Sequence, residues 1–95
     1  MEAERLMMAA VLAGAAERYS LSLREVEVLA LVAEGCTDED IGDALYIATS
    51  TVKSHIKHIL LKMTARSRAH AIAIATGFPL PNEPDRAIAT AVAAA

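Results

Sequence analysis

Apolar positions recur along most of this chain at intervals of three and four, in runs separated by short polar breaks. The clearest run is SLSLREVEVLALVAEG, where Val26, Leu29, Ala30 and Ala33 share a helical face and Val28, Leu31 and Val32 widen it. That spacing predicts a helix over 22–34 with one side turned inward. Ser22 and Glu25 match the S-x-x-E capping box, in which side chains and backbone satisfy each other's free amides. Gly35 stands where a helix ends in a left-handed residue. Thr37 caps the next segment, whose first turn is Asp38-Glu39-Asp40, negative charge that a helix N-terminus favours. Ile41 and Leu45 are four apart with Gly42 beside them, which predicts a short helix over 38–45. After Tyr46-Ile47-Ala48 a further helix is expected over 49–63. Ser67 then caps SRAHAIAIAT (67–76), which Gly77 ends. The prolines of FPLPNEP break regularity, and Asn82 or Glu83 begins a last helix through DRAIATAVAAA. Ahead of all these, 2–18 reads as an alanine-rich helix with charged ends and little one-sidedness. No internal repeat stands out.

Composition narrows the fold class to all-α. The 95 residues suit one small domain, 55% hydrophobic but only 3% aromatic, and the alanine behind that excess favours helix and close helix approach. The apolar run LMMAAVLAGAA (6–16) is 11 residues long, well short of the ~20 a bilayer-spanning helix requires. It lacks the basic start and cleavage region of a secretion signal, so no membrane contact is expected. The single cysteine, Cys36, rules out an intramolecular disulfide and fits a reducing, cytoplasmic setting.

Charge alters the picture more than its total of −3 suggests. Residues 44–82 hold no Asp or Glu, but carry Lys53, Lys57, Lys62, Arg66 and Arg68. All 12 acids lie outside that stretch. A polyanionic partner is therefore not excluded by net acidity, because local potential governs docking.

The positive stretch has a direction. At about 100° per residue, Val52, Ile56, Ile59, Leu60 and Met63 fall within roughly a third of the helix circumference. Ser50, Ser54 and Lys57 lie opposite, with Lys53 and Thr51 on the flanks. A short capped helix joined by a tight turn to a second helix with such an outer face is the makings of a helix-turn-helix. There the second helix enters the DNA major groove; its lysines neutralise phosphates or donate to guanine, and small hydroxyl residues let it approach the groove floor. A cationic outer face is more often just a solvated one. Here the preceding capped helix, the length of the turn and the acid-free stretch favour the groove. His55 borders the apolar stripe and reads as a packing residue. His55 and His58 are the nearest approach to a metal pair, without a third ligand. No catalytic group, cofactor motif or metal cluster is expected.

The combination LSLRE, the Ile41–Leu45 pair, TVKSH at 51–55 and KM…RSRAHAI resembles the LuxR/GerE-type helix-turn-helix domain of bacterial transcription regulators, over about residues 21–76. The resemblance implies a four-helix domain that binds duplex DNA, generally as a homodimer through its last helix. The N-terminal helix and the C-terminal one read from the pattern lie outside that domain, with divisions at 1–20, 21–78 and 79–95. Carried over by position, Lys53, Ser54 and Lys57 match the family's major-groove residues and Thr51 a backbone contact, with Thr49 and Ser50 beside it at the helix start. Arg68 matches a usually basic position, where a phosphate contact and a structural hydrogen bond compete. Lys62 is ambiguous in the same way, with Glu25 as a carboxylate that could anchor it.

Three departures stand out. Ala48 replaces a common serine, so Thr49 or Ser50 is expected to cap at one residue's shift. Asp38-Glu39-Asp40 would repel phosphate, and Gly42 in place of alanine allows close packing between the paired helices but would loosen its own helix. These departures keep a second reading open, a helical protein-interaction module that retains the fold but binds DNA weakly. Family members commonly carry a sensor or receiver ahead of this domain, and the roughly twenty preceding residues have no room for one. A fragment of a longer regulator is the expectation.

Overall fold

The computed structural model describes residues 2–77, and the expected C-terminal helix and its proline-containing linker lie outside them. Five helices follow in order: α1 (Glu2–Tyr19), α2 (Leu23–Ala33), α3 (Asp38–Leu45), α4 (Thr49–Met63) and α5 (Arg68–Thr76), with no strand among the described residues. All five were legible in the pattern, and the bounds of α3 and α4 match it residue for residue.

The ends follow from local chemistry. Ser22 Oγ accepts the Glu25 amide at 3.1 Å while Glu25 Oε1 accepts the Ser22 amide at 2.8 Å, completing the capping box of α2. At its other end Gly35 takes φ +88°, and the Cys36 and Gly35 amides donate to the Leu31 and Val32 carbonyls. That is the Schellman pattern, which uses carbonyls the helix leaves over. Thr37 and Asp40 form a second capping box on α3. Ser67 and Gly77 bracket α5 as expected.

One expectation about the caps is overturned. Ala48 itself is the N-cap of α4, with no side-chain cap bond, and Thr49 is already helical. The turn before it decides this. Tyr46 sits in the left-handed region at φ 57°, the Ile47 amide donates to Gly42 O at 2.9 Å, and Ala48 O accepts from both Thr51 and Val52. Moving the cap to Thr49 or Ser50 would break the bonds to Ala48 O.

The core is one cluster shared by all five helices: Leu12 and Ala15 of α1, Val28 and Leu29 of α2, Ile41 of α3, Val52, Ile56, Ile59 and Met63 of α4, and Ala71 and Ala75 of α5. Helix α4 runs through its middle, packed against α2, α3 and α5. The remaining core face of α2 and α5 is covered by α1, whose outer side leaves Leu6, Met7 and Val11 exposed.

Of the two effects open to Gly42, close packing is the one the structure shows. A Cβ there would lie 2.7 Å from the Ile47 carbonyl oxygen, closer than real Cβ contacts come. The glycine therefore lets α3 and its turn close tightly rather than loosening the helix.

Candidate nucleic-acid interface

Helices α3 and α4, joined by the three residues 46–48, form the helix-turn-helix. On α4, Val52, Ile56, Ile59 and Met63 are buried, while Ser50, Thr51, Lys53, Ser54 and Lys57 are exposed. Thr49 and His55 are half-buried at the border between these faces. The inward stripe thus anchors the helix from beneath and leaves its first three turns as a surface of small hydroxyls and two lysines. No acidic residue occupies the first turn of α4, and its N-terminus lacks a side-chain cap. The partial positive charge of the helix end therefore adds to that of Lys53 and Lys57.

Arg68 lies apart from this group, at the start of α5. It is half-buried and engages Asp38 of α3 through both terminal nitrogens, Nη1 to Oδ1 and Nη2 to Oδ2, the latter at 2.8 Å. Of the two roles expected for Arg68, the structural hydrogen bond is the one formed within the chain. The Arg68 bond holds the Asp38 carboxyl below its ordinary range against the opposing effect of burial, and the charges of Arg68 and Lys53 add to the lowering. The pair thus ties the start of α5 to the first turn of α3, the helix that precedes α4 in the helix-turn-helix.

This alters what the acidic turn does. Asp38 is paired with Arg68, and Asp40 turns back onto the Thr37 amide at 3.0 Å. Two of the three carboxylates expected to repel phosphate are thus engaged within the chain, while Glu39 is exposed. Sequence reasoning missed the Asp38–Arg68 pair because the partners are 30 positions apart and no local pattern links them. It also passed over Tyr46, which is 94% exposed in the turn; nothing in the spacing marks it.

At the far end of α4, Lys62 Nζ donates to Glu25 Oε1 at 2.7 Å and to the Ser20 carbonyl at 3.1 Å. This contact ties the α1–α2 junction to the last turn of α4, so Lys62 is anchored by Glu25, the carboxylate its position suggested. No group of three His, Cys, Asp or Glu side chains able to hold a metal occurs among the described residues. None of their helices is long and apolar enough to cross a membrane.

Comparison with known proteins agrees with this architecture. The family model described as bacterial regulatory proteins, luxR family, matches residues 19–75. The transcriptional regulatory protein LiaR of Bacillus subtilis (strain 168) is 48% identical over 52 residues, which are 55% of this chain and 25% of that protein. The transcriptional regulatory protein DegU of Brevibacillus brevis is 46% identical over 54 residues, 57% of this chain and 23% of that protein. The response regulator protein VraR of Staphylococcus aureus (strain NCTC 8325 / PS 47) is 40% identical over 58 residues, 60% of this chain and 28% of that protein. The chain thus spans about a quarter of the length of these relatives. No solved structure gives a significant match. The matched segment takes in α2, α3, α4 and nearly all of α5, and with them the whole helix-turn-helix: the chain belongs to the luxR family of bacterial regulatory proteins.

Proposed function

We propose that the chain binds duplex DNA sequence-specifically in transcriptional regulation, with α4 in the major groove and two copies on a two-fold site. The observation that carries this reading is the outer face of α4, where Lys53, Ser54 and Lys57 are exposed directly above buried Val52 and Ile56. Lys53, Ser54 and Lys57 meet base edges, Thr51 with Thr49 and Ser50 meets the backbone at the helix start, and Arg68 supplies a peripheral cation. Omitting a good N-cap costs ~1 kcal/mol, and a phosphate oxygen at the uncapped start of α4 would offset that cost in the complex. Two copies would set their α4 helices about one DNA turn apart, ~34–36 Å. Such work belongs in the bacterial cytoplasm, with the chromosome.

The test compares Lys57→Ala with the unaltered chain on a site selected from random DNA and on random duplex. The expected loss on the selected site is about 1–3 kcal/mol, the worth of one good base contact, and clearly smaller on random duplex. Equal losses on both would make Lys57 a phosphate anchor and not a reader of bases.

The exposed Leu6, Met7 and Val11 of α1 and the acid-rich α3 favour a second reading, a helical protein-interaction module. Generic duplex at low salt separates the two, since non-specific binding of a groove binder falls at roughly 1–100 µM. Absence of binding across that range would favour the module.

A further inference from the structure

Outside the α4 face the molecule carries the exposed apolar side of α1, the half-buried Cys36, the His70 contact to the Arg66 amide, the Glu25–Lys62 lock and the Asp38–Arg68 pair. The last of these carries furthest. We propose that Asp38 is an internal stand-in for a DNA phosphate, occupying the Arg68 guanidinium in the free chain and yielding it to the DNA backbone when α4 docks. The inference rests on the DNA-binding reading and adds a regulatory element to that site.

Three observations support it. The two terminal nitrogens of Arg68 meet the two oxygens of Asp38 in a parallel fork, the geometry a guanidinium also uses to hold a phosphate. The pair is lopsided in exposure: the Arg68 side chain is 40% exposed and that of Asp38 15%. The arginine is thus the more solvent-open partner and the carboxylate the more enclosed one. Finally, the fork joins the first turns of α3 and α5, both of which pack on α4, so it belongs to the helices that carry the proposed reading face. A guanidinium shielded by a carboxylate attracts non-specific DNA less than a bare one. Exchange would make its contact conditional on docking close enough for a phosphate to compete.

The test uses the 95-residue chain and its Asp38→Asn, Arg68→Gln and Arg68→Lys variants, each checked for helicity and bound to a site selected from random DNA over a series of salt concentrations. Each phosphate contact contributes about 0.9 to the slope of log affinity against log salt. Exchange predicts that Arg68→Gln flattens the slope by about that amount and that Arg68→Lys, which keeps the charge, restores it. Asp38→Asn should bind up to about fivefold tighter, the equivalent of one exposed ion pair, with the slope of the unaltered chain. If Arg68→Gln leaves the slope unchanged, Arg68 is a strut between α3 and α5 and the proposal is overturned. Should Arg68→Gln fail to fold, the Asp38→Asn arm decides alone: binding no tighter than the unaltered chain overturns the exchange. Failure of the unaltered chain to bind duplex at low salt would instead overturn the DNA-binding reading together with the exchange.

Discussion

Glu25 is 4% exposed, and a carboxylate so placed is tolerable because its Oε1 accepts from both the Ser22 amide and the Lys62 ammonium. Burial pushes its carboxyl up, but the Lys62 ammonium, the Ser22 amide and the Ser22 hydroxyl outweigh that and hold it below its ordinary value. A folded-state value below the unfolded one means that the unfolded chain binds more protons as pH falls. The resulting stability is fully present above the ordinary carboxylate range and is lost as pH drops through the folded value. Glu25→Gln keeps an acceptor for the capping box but deletes the charge. With Lys62 38% exposed and screened by solvent, the expected loss at neutral pH is about 1–2 kcal/mol. Urea titrations of both forms should differ near pH 7 and converge only as pH falls below the lowered folded value of Glu25; a gap independent of pH would show that the charge contributes nothing. Other features at this scale leave no trace in the sequence. Ser20, Tyr46 and Thr64 all take positive φ at helix ends, where a glycine would have announced the stop. Backbone bonds from the residues that follow them, Leu21 to Ala16, Ile47 to Gly42 and Ala65 to Leu60, accompany these turns, while the three side chains are exposed.

Helices α3 and α4 were legible as elements because each combines a cap signal or a polar break with an apolar stripe of the right period. Gly42 allowed close packing between them but set no distance. Propensity alone says that Gly42→Ala should stabilise α3 by about 1 kcal/mol. The 2.7 Å approach to the Ile47 carbonyl says otherwise, since relief requires the backbone of the turn to move. Overpacking of that kind typically costs about 1–3 kcal/mol, so the steric effect should win and the melting temperature of Gly42→Ala should fall by several degrees. A rise would mean that the turn relaxes freely. The same turn fixes where α4 begins, and hence which of its side chains face outward. A sequence reading could predict that Lys53 and Lys57 oppose Val52 and Ile56. It could not say that Ala48 would remain the cap.

On the scale of the whole molecule, α1 is the informative case. It precedes the family-matched segment 19–75, and its pattern showed little one-sidedness, yet Leu12 and Ala15 are buried in the common core beside residues of the other helices. Leu12→Ala should therefore cost about 2–4 kcal/mol by cavity formation, a large share of the 5–15 kcal/mol typical of a small domain. Denaturation that left Leu12→Ala as stable as the unaltered chain would reduce α1 to an appendage. Periodicity, caps and the acid-free stretch were enough to establish five helices, the helix-turn-helix and its cationic face, because those signals are local and repeat within a few turns of chain. The tertiary structure alone decided which side of the nearly uniform α1 is buried and that Arg68 takes Asp38 across 30 positions. Each of these depends on groups brought together from distant parts of the chain, and a local pattern cannot encode a distance between residues it does not contain.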